Sequence, residues 1–258
     1  MTLNLSIPVL ATLAFVVVAL LAWGGFALAL RRRKPYIRTY PLFSKAAGEI
    51  GRAAEEGALV HLTLGSGSLI GSEAMTSVAA LEGMTPLLSL AAAYDTPPII
   101  TSGDPTLYLL ADDWMRRAYL RVGNVERYRP LLVQFSAGDP LTYAAWASTY
   151  ALDAEKGGTQ VMVGAFEQEV SLLADAAVRK GFYLMGGAVA PTGIAALYPT
   201  TSVQTLAMGE DLFTGAAVGQ QKPSLDALVW AEEVMRWLLI LAIVAMVILS
   251  VMGIEVGG

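Results

Sequence analysis

The sequence predicts an α/β fold: a Rossmann-like parallel sheet of about five strands flanked by helices, placed between two transmembrane helices. Three patterns lead to this prediction. Two long apolar runs stand near the two ends of the 258-residue chain. Between them, short apolar runs rich in β-branched residues alternate with longer stretches of helical character. These short runs are continuous in hydrophobicity, which is typical of strands buried on both faces of a parallel sheet.

The two long apolar runs cover residues 5–30 and 237–254, and neither contains a charged residue. At a rise of about 1.5 Å per residue, helices of these lengths would be about 39 Å and about 27 Å long, and the hydrocarbon core of a bilayer is about 30 Å thick. We therefore expect two membrane-spanning helices. The lipid bilayer is the first partner that the sequence implies.

Basic residues predict the orientation in the membrane. The first run is followed at once by Arg31, Arg32, Arg33, Lys34 and Arg38, whereas the residues before it and after the second run include no Lys or Arg. Because basic residues stay on the cytoplasmic side, we expect a two-pass protein of the cell membrane with its middle domain in the cytoplasm and both termini outside. A cleaved signal peptide is the alternative, but the run is long and basic residues directly after it oppose export.

These expectations divide the chain into three parts. Residues 1–34 form the first transmembrane helix and the basic cluster, residues 35–222 form the cytoplasmic α/β domain, and residues 223–258 form a long helix that continues into the second transmembrane segment. Within the domain, the predicted strands are 58–64, 98–101, 131–135, 159–163 and 182–185. The predicted helices are 72–93, 105–122, 140–156, 168–180 and 201–217.

Composition excludes several classes of function. The chain has no cysteine, which excludes disulfides, thiol nucleophiles, and iron–sulfur or zinc sites held by cysteine. The one histidine is His61, so little general-base or metal chemistry remains, and no metal site is predicted. Residues 39–230 contain 11 Lys or Arg against 19 Asp or Glu, without a basic stripe. Nucleic acid is therefore not an expected partner.

A glycine-rich turn is the main candidate for a ligand site. In open parallel sheets, ligands bind at the carboxyl ends of the strands. The first such turn contains Gly65, Ser66, Gly67, Ser68 and Gly71, and it follows a strand and opens a helix. That context suits a phosphate-binding turn, but the spacing G-x-G-x-x-x-G differs from the dinucleotide fingerprint and no P-loop lysine follows. A tight turn that needs glycine only for its backbone angles is the competing interpretation.

The turn is expected to face a second loop across the crevice. In the usual doubly wound order the first and fourth strands are neighbours, so the turn should face Gly164 and Glu167 in the loop after the fourth strand. The crevice loops also hold Asp104, Asp139 and Glu169, but no Lys or Arg. A polyphosphate would need Mg²⁺ to balance these carboxylates. We therefore expect that the domain does not bind nucleotides, or binds them only with a divalent metal. The sequence does not identify a cofactor or a small-molecule ligand.

Two aspartates and the histidine invite a catalytic interpretation that the local pattern does not favour. Asp104 and Asp139 each stand between a glycine and a proline at a predicted helix start, where aspartate caps the helix and proline suits the first helical position. His61 lies inside the first predicted strand, which indicates a core histidine with satisfied hydrogen bonds. The sequence has no Ser-His-Asp, H-E-x-x-H or G-x-S-x-G pattern, so catalytic residues stay unassigned.

Three segments carry a resemblance to a known family. They are residues 61–68 (HLTLGSGS), 95–106 (DTPPIITSGDPT) and 161–169 (VMVGAFEQE), after a basic juxtamembrane cluster. Together they resemble an uncharacterised family of membrane-anchored bacterial and archaeal α/β proteins, known as a domain of unknown function. The resemblance covers most of residues 35–219. It implies an intact α/β domain between anchors and supplies no catalytic residues.

Two functions of different class follow from these features. The first is a membrane-anchored cytoplasmic α/β domain that acts as a binding or scaffold module, including self-association into a homo-oligomer. The second is a Rossmann-like enzyme, or a protein that binds a nucleotide or another small ligand, with its site at the carboxyl ends of the strands. Fold analogy alone supports the second.

Overall fold

A computed structural model of the protein describes residues 7–30, 41–94, 96–136, 138–220 and 223–251. The chain divides into two compact units. The first unit comprises Met1–Ile37 together with Gln221–Gly258, and the second unit is Arg38–Gln220. The second unit contains the sheet with its helices, and the first contains one long helix from each end of the chain.

Helices and strands alternate through most of the second unit, as the sequence predicts. In chain order, the described elements are α1 (Ile7–Leu30), α2 (Pro41–Glu56), β1 (Val60–Gly65), α3 (Ala74–Ala93), β2 (Ile99–Ser102), α4 (Pro105–Val122), two short 3₁₀ turns (Val125–Arg127 and Pro130–Leu132), β3 (Val133–Phe135), α5 (Pro140–Asp153), β4 (Thr159–Ala165), α6 (Val170–Arg179), β5 (Tyr183–Ala188), α7 (Pro191–Leu197), β6 (Leu206–Met208), α8 (Asp211–Gln220) and α9 (Pro223–Val251).

The sheet is entirely parallel, with strand order β3-β2-β1-β4-β5-β6. This is the order found in doubly wound, Rossmann-type sheets. The α/β class with a parallel sheet between helices is confirmed. β1 pairs with β2 on one side and with β4 on the other, so the predicted contact between the first and fourth strands is also confirmed.

The described residues contain six strands, where the sequence predicts about five. The sixth, β6, lies inside the stretch predicted as helix 201–217. Leu, Ala and Met all favour helices, so local propensity points away from a strand. The segment is a strand because Leu206 pairs with Gly186 and Met208 pairs with Ala188. This pairing joins residues that are distant in the chain.

Strand β5 extends beyond its predicted end at residue 185 because two glycines take part in it. A Cβ on Gly186 would lie 3.0 Å from Leu197 Cδ1, and a Cβ on Gly187 would lie 3.0 Å from Leu212 Cδ1. Glycine at these two positions therefore allows α7 and α8 to pack closely on opposite faces of the strand. Close packing of α7 and α8 on the strand therefore explains both glycines.

Helix α2 is an element that the sequence interpretation leaves without assignment. Its inner face consists of Leu42, Ala46, Ile50 and Ala53, each no more than 1% exposed. Their spacing of three and four residues is the period of an amphipathic helix. That periodicity is the signal that could have predicted α2, although small alanines make it weak.

The helices cover both faces of the sheet. One face packs against α2, α3, α4 and α8, and its core includes Leu62, Leu64, Val161 and Val163. The other face packs against α5, α6 and α7, and its core includes Met162. Because side chains alternate between faces along each strand, the continuous apolar strands of the sequence supply both cores.

The first unit contains α1 and α9, which pack against each other. Among the described side chains, Ala74–Ala93 forms a helix that is long and apolar enough to cross a membrane, but 61% of its apolar window is buried. This helix is α3, which packs on β1, β4 and α8 as part of the core. The described side chains of α1 give a shorter apolar segment, Phe15–Gly25. Two terminal membrane spans therefore stay a prediction.

Candidate functional site

The candidate site is the crevice between the carboxyl ends of β1 and β4, the switch point of the sheet. From β1 the chain adds strands on one side, toward β3, and from β4 it adds strands on the other side, toward β6. The loops that leave β1 and β4 therefore diverge. The turn Gly65–Gly71 leaves β1, and Gly164 and Glu167 lie at the end of β4. The structure thus brings the predicted residues of the two segments to the same edge of the sheet.

The turn after β1 needs glycine for two physical reasons. Gly65 has a φ of 82° and Gly71 a φ of 106°, both in the left-handed region that favours glycine. Gly67 is required by space, since a Cβ there would lie 2.3 Å from Ala165 Cβ and 2.9 Å from Ser77 Oγ. Backbone geometry and packing therefore explain all three glycines without a ligand.

The two loops are in direct contact across the crevice. Gly65 is aligned with Ala165, and a Cβ on Gly65 would lie 2.4 Å from the Ala165 carbonyl oxygen. A Cβ on Gly164 would lie 2.0 Å from the Leu64 carbonyl oxygen, and a Cβ on Gly103, after β2, would lie 3.0 Å from Ser66 Cα. The ends of β1 and β4 are therefore packed closely together at the base of the crevice.

A buried carboxylate organises the β4 side. Glu169 is 5% exposed and takes the N-cap position of α6. Its two carboxylate oxygens accept hydrogen bonds from the Glu167 backbone N–H at 3.0 and 3.1 Å, and Ser66 Oγ donates to Oε1 at 3.5 Å. Glu167, which the sequence places in the site, has an exposed side chain and contributes its backbone N–H. A ligand anion bound at the start of α6 would therefore lie next to the carboxylate of Glu169.

Two polar side chains of α3 also border the turn. Glu73 stands at the N-cap of α3, and its Oε2 lies 3.1 Å from the position of a Cβ on Gly67. Ser77, one helical turn later, is fully buried, and its Oγ has no hydrogen-bond partner within the described ranges. The sequence interpretation did not select either residue. Their i, i+4 spacing directly after the turn is the signal that places both on the face toward it.

The turn is tied to the start of α4 by Ser68. The Ile70 backbone N–H donates to Ser68 Oγ at 3.1 Å, and the Ser68 hydroxyl also hydrogen-bonds the carboxylate of Asp104. The Gly103 backbone N–H donates to the Gly65 carbonyl oxygen at 2.9 Å. The β1 turn is therefore held on both sides, by the loop after β2 and by the loop after β4.

The two Gly-Asp-Pro turns are helix caps, as predicted. Asp104 Oδ1 accepts from the backbone N–H groups of Thr106 and Leu107 at 2.9 Å each, and Asp139 Oδ2 accepts from Thr142 N–H at 2.8 Å. Burial alone would raise the pKa of Asp104, but the hydrogen bonds to its carboxylate outweigh burial and hold the pKa below its ordinary value of 3.8. Hydrogen bonds from Thr142 likewise lower the pKa of Asp139.

His61 lies fully buried in β1, in agreement with a core role. Its Nε2 is 3.0 Å from Thr101 Oγ1, which is 3.1 Å from Tyr143 Oη, and the Tyr143 hydroxyl donates to the Thr101 carbonyl oxygen at 3.1 Å. Burial lowers the pKa of His61 to about 3, so the ring is neutral near pH 7. Its Nδ1 has no protein partner in the described part of the chain, so whether all hydrogen bonds of the ring are satisfied stays a prediction.

A surface cavity of about 640 Å³ lies at the opposite, amino edge of the sheet. Its lining comes from the loop before β1, the start of β2 and the end of α5: Gly57, Ala58, Leu59, Ile99, Thr149, Tyr150, Asp153, Ala154, Glu155 and Lys156. Ligands of open parallel sheets bind at the carboxyl edge, whereas this cavity lies at the amino edge. Asp153, Glu155 and Lys156 in its lining are exposed, so solvent rather than protein bounds much of the cavity. The carboxyl edge is therefore the better candidate site.

Carboxylates dominate the carboxyl edge, where Glu73, Asp104, Glu167 and Glu169 lie. Among the residues that the structure describes, no three His, Cys, Asp or Glu side chains lie close enough together to bind a metal ion. A polyphosphate at this edge would meet carboxylates from α3, α4 and the β4 loop. The electrostatics of the crevice therefore oppose an anionic ligand.

Comparison with known families gives one match. A family model described as "Domain of unknown function (DUF6754)" matches residues 4–257. The chain belongs to this family. No curated protein and no solved structure matched the chain.

The family match is wider than the resemblance that the three sequence segments carry. It includes α1 and α9 as well as the α/β unit, whereas the segments indicated most of residues 35–219. The family description assigns no activity, so the roles of the crevice residues rest on their own geometry.

Proposed function

We propose that this protein is a two-pass protein of the cell membrane whose α/β domain lies in the cytoplasm and acts as a binding or scaffold module. The proposal has two parts, the anchor and the module. The anchor rests on α1 and α9 together with the basic cluster after the first apolar run. The module rests on the state of the crevice.

The anchor is supported by the length and surface of the two terminal helices. α1 has 24 residues and α9 has 29 residues, which correspond to about 36 Å and about 44 Å. Large apolar side chains are exposed on both: Leu21 is 70% exposed and Leu28 66%, and Trp237 is 63% exposed and Leu241 61%. Such surfaces are unfavourable in water and favourable in lipid.

The single observation that carries the module part is that the strand ends at the switch point are closely packed and are bordered by carboxylates. The β1 turn and the end of β4 are within contact distance at Gly65, Gly67 and Gly164, and the carboxylate of Glu169 lies directly before α6, where it accepts hydrogen bonds from the Glu167 backbone N–H. A nucleotide at this edge would bring its phosphates next to carboxylates. The geometry therefore favours recognition at the surface over chemistry inside the sheet.

The rim of the crevice has a surface suited to another protein chain, including a second copy of this one. Ile70 in the β1 turn is 78% exposed, and Met75 in the first turn of α3 is 65% exposed. Exposed apolar side chains next to a rigid loop are common in protein contacts, and methionine adapts to irregular partners.

The test is a calorimetric titration of the full-length protein in lipid nanodiscs with NAD, ATP and GTP, each with and without Mg²⁺. We expect no binding in the absence of metal. A matched Glu169→Gln variant keeps the shape of the side chain and removes its charge. Nucleotide binding gained only by this variant would support the view that the charge of Glu169 keeps anionic ligands away from this edge.

The second candidate is a Rossmann-like enzyme or nucleotide-binding protein. It is favoured by the strand order, which places a switch point between β1 and β4, and by the buried Ser77 hydroxyl that faces the turn. Tight binding of any of the three nucleotides to the wild-type protein without metal would favour this candidate and contradict the scaffold function.

A further inference from the structure

A band of polar side chains is buried in the middle of the sheet, next to the switch point. It consists of His61 and Thr63 on β1, Thr101 on β2 and Gln160 on β4, all of them 0% exposed. His61 is aligned with Gln160, and Thr63 is aligned with Thr101. Aligned residues of neighbouring strands lie about 5 Å apart and share a face, as do residues i and i+2 of one strand. The four side chains therefore lie on one face.

Helices α5 and α6 cover this face largely with small residues. The fully buried alanines on these two helices are Ala144, Ala147, Ala151, Ala174 and Ala177. Methyl groups neither donate nor accept hydrogen bonds. The polar atoms beneath them must find partners within the band, from the tyrosines of α5, or from a bound molecule.

The hydrogen atoms in the band determine the tautomer of His61. The Tyr143 hydroxyl has one hydrogen, which it donates to the Thr101 carbonyl oxygen. The contact between Thr101 Oγ1 and Tyr143 Oη must then use the hydrogen of Thr101. Thr101 Oγ1 is left with lone pairs toward His61 Nε2, so Nε2 carries the hydrogen. His61 Nδ1 is consequently an acceptor that needs a donor.

Four buried atoms of the band have no hydrogen-bond partner among the described residues. They are His61 Nδ1, Thr63 Oγ1 and both carboxamide atoms of Gln160, Oε1 and Nε2. They belong to three side chains that are neighbours on the same face. Unpaired buried polar groups are rare in folded proteins, and several of them together indicate a bound water molecule with two to four polar partners.

We propose that this band is a binding site for one buried water molecule, which donates a hydrogen bond to His61 Nδ1 and forms its other hydrogen bonds with Gln160 and Thr63. His61 is held as the neutral Nε2–H tautomer. The water joins β1 to β4 through side chains, in addition to the backbone pairing of the two strands. The site is independent of the proposed function.

Nuclear magnetic resonance tests the site directly, because His61 is the only histidine in the chain. In the full-length protein labelled with ¹⁵N-histidine, one imidazole gives all the signals. We expect a protonated Nε2, an unprotonated Nδ1 with the shift of a hydrogen-bond acceptor, and a cross-peak between the ring protons and a long-lived water. A protonated Nδ1 or the absence of the water cross-peak in the wild-type protein would overturn the proposal.

Two variants separate a water bridge from a direct hydrogen bond between Gln160 and His61. Gln160→Met removes the carboxamide, and Thr63→Val removes the hydroxyl with little change of shape. If one water joins all three side chains, both substitutions change the Nδ1 shift and weaken the water cross-peak. If Gln160 bonds His61 directly, Thr63→Val leaves the Nδ1 shift unchanged, and the proposal is wrong.

A matched control is Thr85→Val. Thr85 is also a buried threonine, but it lies on α3 and its hydroxyl donates to the Leu81 carbonyl oxygen at 3.1 Å. We expect this substitution to leave both the Nδ1 shift and the water cross-peak as in the wild type. A change as large as that of Thr63→Val would mean that the signals report general loosening of the core, which would also overturn the proposal.

Discussion

At the scale of single residues, His61 shows how burial sets charge. The ring is fully buried between β1 and α5, with Tyr150 at a centroid distance of 5.3 Å and Tyr143 linked through Thr101. Burial lowers the pKa of His61 from 6.5 to about 3 and raises the pKa of both tyrosines, so all three side chains are neutral near pH 7. A charged ring at this position would lack compensation from its neighbours.

This neutral histidine predicts a pH dependence of stability. Below pH 6.5 the unfolded chain takes up a proton that the folded chain excludes. The free energy of unfolding should therefore fall as the pH decreases from about 6.5 toward about 3, by at most about 1.4 kcal/mol per pH unit. Urea unfolding between pH 5 and 7 measures the slope. In His61→Gln the slope over this range should largely disappear; an equal slope in both proteins contradicts the assignment.

Asp104 makes the second prediction at this scale. Asp104→Ala removes the acceptor for two backbone N–H groups at the start of α4 and should lower the free energy of unfolding by about 1 kcal/mol. Asp104→Asn keeps a side-chain oxygen and should cost less. Because the pKa of Asp104 is lowered in the folded state, its contribution is complete above about pH 4 and is lost as the pH falls further. Equal unfolding curves for wild type and Asp104→Ala would contradict the cap.

At the scale of elements, the contact between the β1 turn and the β4 loop is the main structural feature of the site. The contact depends on the absence of a side chain at Gly164, where a Cβ would lie 2.0 Å from the Leu64 carbonyl oxygen. Gly164 lies within β4, so the strand must shift away from β1 to accept even a methyl group. The glycine is therefore a requirement of strand pairing at the switch point.

A pair of glycine substitutions tests this requirement. Gly164→Ala should destabilise the protein by roughly 2 kcal/mol or more, the size of other overpacked cores. Gly48→Ala, in the helix α2 where a Cβ would meet no atom within 4 Å, should be neutral or stabilise by up to about 1 kcal/mol. Thermal unfolding of both variants measures the difference. Similar melting temperatures for Gly164→Ala and the wild type would show that the crevice is looser than its contacts indicate.

The same elements show what local sequence can predict. The boundaries of α3, α4, α5 and α6 differ from the predicted ones by at most three residues, because periodicity, Asp caps and flanking glycines all act locally. The sequence predicts a helix at β6 because its three residues have helical propensity and become a strand only by pairing with β5. The sequence pattern does not predict α2, because alanines supply half of its buried face.

At the scale of the whole molecule, the proposed orientation in the membrane can be tested by labelling a single cysteine. Because the chain has no native cysteine, one introduced cysteine gives an unambiguous signal. Ser72 is exposed directly after the β1 turn, and Ser136 is half-buried after β3, so Ser72→Cys is the better probe and Ser136→Cys the second. We expect neither to react with a membrane-impermeant thiol reagent in intact cells, and Ser72→Cys to react after permeabilisation.

Labelling of Ser72→Cys in intact cells would place the α/β domain outside the membrane and contradict the orientation inferred from Arg31–Lys34 and Arg38. Recovery of the protein in the soluble fraction after cell lysis would contradict the anchor itself. The two results are distinguishable, because the first leaves the protein in the membrane fraction.

The amino-acid sequence alone is enough to predict the α/β class, the neighbouring positions of the first and fourth strands, and the capping roles of Asp104 and Asp139. These follow from local patterns and from the general winding of parallel sheets. Three further features are visible only in the folded protein: the β1 turn closes against Ala165, Ser66 hydrogen-bonds Glu169, and His61, Thr63 and Gln160 form one buried band. These features depend on register between strands about 40 to 100 residues apart in the chain, and register is set by packing of the complete sheet.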